Sequence, residues 1–426
     1  MSNLENPLCY SDCCRHSERS EESFNLKFTE EFGLIPNDWE VRSLEYLGVF
    51  FKGAGISKNT IKDNGLPCIR YAEIYTLYSF VVKKCYSYIA PYLANTLVSI
   101  KYGDILFAGS GETKEEIGKC IALLMDKAYA GGDNIIFRPN KELLNSVYVS
   151  YLLNTIGRKQ LNKLGQGDAI VHIHTGNLKG VSIPVPPLPE QEKIAEVLSD
   201  VDSLIDKTLG LINKKKDLKT ATMQKLLAPK PNWETKTFKN IAEMNSGGTP
   251  TSSNSQHYGG NIPFLSINDL TTQGKYLIKT EKKITELGLK NSSARIVKKG
   301  DLLYAMYATL GKCSIADTDV AISQAVLGIS VNSNVVSSEF LYYYLLFIEN
   351  SVKNLGQTGT QSNLSKQLIS EFEIPLPPLS EQNKIAEILS DMDDEILSLE
   401  KELGKYQDLK MGMMQQLLTG QVRLLS

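Results

Sequence analysis

Long apolar runs are missing from this sequence: no window approaches eighteen consecutive apolar residues, which argues against a membrane-spanning helix. The first residues also lack the apolar core of a secretory signal, so a cytoplasmic chain without a membrane partner is expected. A strong charge of either sign is missing too. With a net charge of −2, a nucleic-acid partner would require basic side chains gathered on one surface. Cysteines are few and show no CxxC pairing: Cys9, Cys13, Cys14, Cys68, Cys85, Cys120 and Cys313 are odd in number. They read as free thiols of a reducing compartment. Cys9, Cys13 and Cys14 stand near His16 in a polar stretch without a second ligand pair. Residues 1–25 are therefore expected to be a disordered tail rather than a zinc site.

Catalytic patterns are equally scarce. Gly109-Ser110-Gly111-Glu112-Thr113-Lys114 lacks the glycine-lysine spacing of a phosphate loop, and Glu112 would repel phosphate, so it reads as a surface turn. Gly53-Ala54-Gly55 lacks the third glycine of a dinucleotide fingerprint. No Asp/Asn-Pro-Pro-aromatic motif of an adenine methyltransferase occurs. His172 and His174 alternate with Val171 and Ile173, as on one face of a strand. They read as polar strand positions, with DNA contact the alternative. No residue is assigned a catalytic, cofactor-binding or metal-binding role.

What the chain does contain is a repeat. Ile183-Pro184-Val185-Pro186-Pro187-Leu188-Pro189-Glu190-Gln191 recurs as Ile374-Pro375-Leu376-Pro377-Pro378-Leu379-Ser380-Glu381-Gln382. The match runs on without a gap through Lys193-Ile194-Ala195-Glu196 and Lys384-Ile385-Ala386-Glu387. It continues to Asp217-Leu218-Lys219 and Asp408-Leu409-Lys410. Weaker likeness lies upstream: Pro36-Asn37-Asp38-Trp39-Glu40 and Pro231-Asn232-Trp233-Glu234 hold the only two tryptophans. Residues 67–74 parallel 263–270, which sets Arg70 against Ser266 and Glu73 against Asp269. The order is variable domain, repeated helix, variable domain, repeated helix.

Pro186-Pro187 and Pro377-Pro378 cannot lie inside a helix, so the helices are expected to start near Glu190 and Glu381. They should run to about Ala228 and to Gly420. Ile385, Leu389, Met392, Ile396, Leu399 and Leu403 step by four and three, a heptad seam. The first helix keeps Ile194, Leu198, Val201, Ile205 and Ile212, while Thr208 and Lys215 weaken it. About 37 residues at 1.5 Å rise give helices of about 55 Å, longer than a small domain is wide. The variable domains alternate short apolar runs with Gly, Asn and Asp turns and read as α+β. Amphipathic helices are expected over residues 143–156 and 339–349.

The doubled Pro-x-Pro-Pro-Leu-x-Glu-Gln-x-x-Ile-Ala-Glu-x-Leu pattern, opening a long helix each time, resembles the specificity subunits of type I restriction–modification systems. Gly247-Gly248-Thr249-Pro250 and Lys299-Gly300-Asp301 share the likeness, which covers about residues 34–424. The resemblance implies target-recognition domains at 34–182 and 231–373 and repeated helices at 183–230 and 374–424. It also implies a chain without chemistry of its own that reads a bipartite, asymmetric double-stranded DNA target. Two modification (methyltransferase) subunits with S-adenosylmethionine, and two ATP- and magnesium-dependent restriction subunits, would dock on it. Helices packed as an antiparallel coiled coil would relate the two domains by a pseudo-twofold axis and act as a ruler between half-sites.

Candidate DNA contacts are polar loop residues. In the first domain they are Lys52, Ser57, Lys58, Asn59, Lys62, Arg70, Tyr71, Lys83 and Lys84. In the second they are Thr249, Thr251, Ser252, Ser266, Asn268, Arg295, Lys298 and Lys299, with Gln357 and Gln361 in a loop. Lys214-Lys215-Lys216 reads equally as a phosphate contact or a solvated helix face. Two other function classes compete with this reading: a coiled-coil scaffold binding only proteins, and a single-chain enzyme that cuts or methylates DNA.

Overall fold

The computed structural model describes residues 26–167, 170–307, 309–356 and 363–425. The tail over residues 1–25 and the candidates Gln357 and Gln361 lie outside the described residues. The chain divides into two compact units, Met1–Asp206 with Gly404–Ser426, and Lys207–Leu403.

In the first unit the strand order of one five-stranded sheet is Gly48–Lys52, Asn134–Pro139, Ile105–Ala108, Cys120–Leu123 and Val81–Val82. A second sheet runs Ile61–Lys62, Ser87–Ile89, Leu66–Ile69, Lys127–Ala130 and Val98–Lys101. Pairing is antiparallel except where Ala122–Leu123 meets Val81–Val82 and Tyr129–Ala130 meets Cys68–Ile69. The central strands are apolar on both faces, because helices or the second sheet cover both sides; all four residues of Ile105–Ala108 are buried.

The second unit repeats the plan. Ala242–Ser246, Val326–Val331, Leu302–Ala305, Cys313–Ala316 and Tyr276–Leu277 form a five-stranded sheet. Lys282–Ile284, Tyr258–Leu265, Val320–Ile322 and Arg295–Val297 form a four-stranded one. Each unit also ties its domain's two ends together. Glu40–Ser43, just after Trp39, pairs antiparallel with Ser182–Val185, just before Pro186-Pro187. Glu234–Thr237 pairs in the same way with Glu373–Leu376.

The helices expected to be amphipathic are shorter and mostly buried. They run Ser146–Asn154 and Ser338–Phe347, and the first buries seven of its nine residues. They lie in cores shared with sheet and long helix, and in the second Ser338 and Glu339 keep a half-exposed polar edge. The Gly109–Lys114 stretch departs from a surface turn as well. Ser110–Gly111 is a buried strand paired with Val171–His172, and exposure begins only at Glu112.

Two 40-residue helices complete the chain, Leu188–Leu227 and Leu379–Leu418. Both start two residues before the expected glutamate; in the first, Pro189 is tolerated because first-turn N–H groups have no helical acceptor. Gly420, at φ +71°, ends the second. A Cβ there would stand 2.5 Å from the Pro36 ring, so only glycine serves this turn.

Within the first unit, Ile194 and Leu198 share a core with Leu417 and Leu418. Within the second, Ile385 and Leu389 share a core with Leu227. In each unit the start of one helix therefore meets the end of the other, which is antiparallel packing. Val201, Ile212 and Ile396 are also buried, and Ile205, Met392, Leu399 and Leu403 are half-buried.

A polar junction occurs once per unit. Tyr151 donates to Asp202 Oδ2 at 2.6 Å, and Lys410 pairs with Asp202 Oδ1 while lying 4.1 Å over the Phe80 ring. In the second unit Tyr343 donates to Asp393 at 2.8 Å and Lys219 pairs with the same carboxylate. Cys68, Cys85, Cys120 and Cys313 are free and buried. Burial pushes the first three thiols up to about 12, so they stay protonated and inert at neutral pH.

Candidate nucleic-acid interface

The first domain gathers four of its polar candidates around one cleft of about 480 Å³, lined by Gly55–Lys58, Arg70–Ala72 and Gly131–Asp133. Its walls approach closely because they are glycine: a Cβ on Gly53 would stand 1.9 Å from the Gly131 carbonyl oxygen. Ser57 and Lys58 are exposed on one lip, and Arg70 and Tyr71 are half-buried on the other. Arg70 Nε donates to Glu73 Oε1 at 2.8 Å, and the Arg70 backbone N–H donates to Glu73 Oε2 at 3.1 Å. Glu73 is 2% exposed and also accepts from Ser87 Oγ at 2.5 Å. The carboxylate is thus fixed, and it fixes the arginine.

The remaining candidates of this domain are scattered. Lys52 ends the strand Gly48–Lys52, Asn59 lies in the turn Lys58–Thr60, and Lys62 sits on Ile61–Lys62. Lys83 and Lys84 are exposed beyond Val81–Val82. His172 and His174 are exposed between buried Val171 and Ile173, and His172 Nδ1 meets Ser110 Oγ at 3.0 Å.

In the second domain the corresponding groups bond to one another. Thr249 Oγ1 donates to Gln324 Oε1 at 2.7 Å, across from the Gly247 approach, where a Cβ would stand 1.9 Å from the Ile322 carbonyl. Ser266 Oγ is occupied by Asp269 Oδ2 at 2.7 Å. Thr251, Ser252 and Asn268 are exposed. Lys298 pairs with Asp319 at 2.7 Å and Lys299 with Asp317 at 3.0 Å, both as exposed surface ion pairs. Arg295 lines a separate cleft of about 350 Å³ with Glu243 and Asp301. On the long helix, Lys215 and Lys216 pair with Glu395 and Glu400, which favours the helix-face reading for these two.

Sequence reasoning missed Gly131–Asp133, which line the first cleft, and Gln324, which meets Thr249, because strand pairing brings each from far along the chain. It aligned Glu73 with Asp269 without seeing that both hold the residue three positions earlier.

Two mixed α/β domains on one plan, each followed by a 40-residue helix and each presenting different side chains at matched loops, define a duplicated recognition chain. Comparison with known proteins names it. Residues 36–216 and 230–410 each match the type I restriction modification DNA specificity domain, and the chain belongs to that family. It is therefore a DNA-specificity chain, a non-catalytic subunit of a restriction–modification system.

The MjaX type I restriction enzyme specificity subunit of Methanocaldococcus jannaschii is 30% identical over 94% of this chain and 97% of its own length. The EcoR124I/EcoR124II specificity subunit of Escherichia coli is 26% identical over 60% of this chain and 64% of its own. Among solved structures, the S subunit of M. genitalium superposes with a TM-score of 0.61 at 17% identity, covering 92% of this chain and 98% of that one. A chain from a study of type I complex assembly gives 0.54 at 18% identity, covering 91% and 99%. At these identities the structural likeness concerns the fold. No described helix is long and apolar enough to cross a membrane.

Proposed function

We propose that this chain reads a bipartite, asymmetric DNA target, one half-site per domain, and docks two modification and two restriction subunits on its repeated helices. S-adenosylmethionine, ATP and magnesium belong to those partners in this reading. The observation that carries it is a duplicated scaffold with diverged loops: Arg70 in one domain stands where Ser266 stands in the other, on matching buried carboxylates. Similar frames with different readers fit two unlike half-sites.

The docking half of the proposal is supported by the helices. Leu218 and Leu409 occupy the same place in the repeat and are each 50% exposed, apolar surface that a partner subunit would cover. Two equivalent copies fit two copies of one partner.

Methylome sequencing of cells with and without the gene tests the reading. A methylated motif in two unlike parts separated by a fixed gap, lost with the gene, is the expected result. No gene-dependent motif, or one contiguous motif, would overturn it.

A further inference from the structure

We infer that Arg70 is a base-reading residue, recognising a guanine of the first half-site from the cleft formed by residues 55–58, 70–72 and 131–133. This inference rests on the DNA-reading function proposed above and assigns one position of the target to one side chain.

Three observations converge on it. The first is preorganisation. Arg70 keeps 29% of its side chain exposed, and Glu73, itself locked by Ser87, holds its Nε. The two terminal nitrogens make no hydrogen bond among the described residues, so a planar pair of donors is presented with little rotamer freedom left to lose.

The second is the cleft itself. Gly131 and Gly132 leave one wall as bare backbone, and Gly53 seats the opposite loop against it. A flat base edge can approach such a wall where a side chain would block it.

The third is the charge pattern. A guanidinium fork suits either guanine O6/N7 or a phosphate. Asp133 also lines this cleft and is exposed. A carboxylate there repels a phosphate, but it accepts from the cytosine N4 amino group of the same G·C pair. Lys58, on the lip, remains for the backbone.

The second domain supplies the contrast. Its Ser266 hydroxyl is bound to Asp269, and Thr249 is bound to Gln324. Among the described residues no fixed cation stands at that place, so the two domains present different groups to their half-sites.

The test uses the full chain assembled with its modification subunits, selecting bound duplexes from a randomised double-stranded DNA library, followed by sequencing. Wild type, Arg70→Ala, Arg70→Gln and Arg70→Lys are compared, with the unfolding midpoint of each measured alongside. The expected result is loss of one guanine preference in one half-site for Arg70→Ala, with every other position unchanged. Affinity for the wild-type duplex should fall roughly 5- to 150-fold.

Arg70→Gln, which keeps a polar side chain beside Glu73, should also lose the guanine and move toward adenine; it decides the matter if the alanine variant does not fold. Arg70→Lys, lacking the fork, should keep a weaker guanine preference. An unchanged motif in the alanine and glutamine variants would overturn the inference. So would uniform weakening on all sequences, which marks a phosphate contact. If the wild-type complex selects no motif at all, the proposed function itself fails, a result distinct from either.

Discussion

Gln191 spends its whole amide on backbone. Its Oε1 accepts from the Asn145 N–H at 2.9 Å, and its Nε2 donates to the carbonyls of Leu143 at 2.9 Å and Pro186 at 2.8 Å. Gln382 repeats this with Ser337, Val335 and Pro377. Both are buried. The glutamine thus fastens the start of each long helix to the turn before the buried helix of its domain. Gln191→Ala strands three backbone groups, of which the Pro186 carbonyl is buried, and an unsatisfied buried group costs about 1–3 kcal/mol. Urea unfolding should show a midpoint lowered accordingly, with Gln191→Glu no better because a carboxylate cannot donate. An unchanged midpoint would mean water takes over the bonds. The Glu-Gln pair was visible in the repeat, but its role was not, since two of the glutamine's three partners, Leu143 and Asn145, lie far off in the sequence. The neighbouring glutamates show the same limit. Glu190 takes Trp39 Nε1 at 3.1 Å and Arg423, whereas Glu381 pairs with Lys230 and Trp233 Nε1 is left without a partner.

Among elements, the long helices carry buried polar junctions as well as an apolar seam. Asp202 and Lys410 are 22% and 11% exposed, so their pair is shielded, whereas Lys215–Glu395 lies nearer solvent. A double-mutant cycle on Asp202→Asn and Lys410→Met should give a coupling of about 0.5–3 kcal/mol. The same cycle on Lys215 and Glu395 should give about 0–1 kcal/mol. Equal values would show that the junction does not fix helix register. The junctions also decide how the ruler proposal is to be tested. Removing four residues from each helix, between Asp202 and Lys219 and between Asp393 and Lys410, leaves every junction residue in place. Four residues are about 6 Å of helix, or roughly two base pairs. The gap in the methylated motif should shorten by about that much with both half-sites intact; altered half-sites would refute a ruler. The seam was legible because 3.5-residue spacing shows in one dimension, while the junctions join residues that share no local pattern.

At the scale of the whole molecule, each domain is an insert whose two ends are tied, because a strand near its start pairs with one at its end. Exchanging residues 34–182 for the corresponding domain of another family member should change one half of the methylated motif and leave the other. Changes in both halves would show that the domains do not read independently. The sequence by itself determined the duplication, the two long helices and, through the repeat, the family. Those depend on periodicity and proline punctuation, which act over neighbouring residues and survive without knowledge of the fold. Tertiary structure decided which candidates share a surface. Strand pairing carries Gly131–Asp133 to Arg70 and Gln324 to Thr249, and it sets Asp319 and Asp317 beside Lys298 and Lys299. Whether a polar side chain is free for DNA depends on the groups folded against it from distant sequence, which no local pattern encodes.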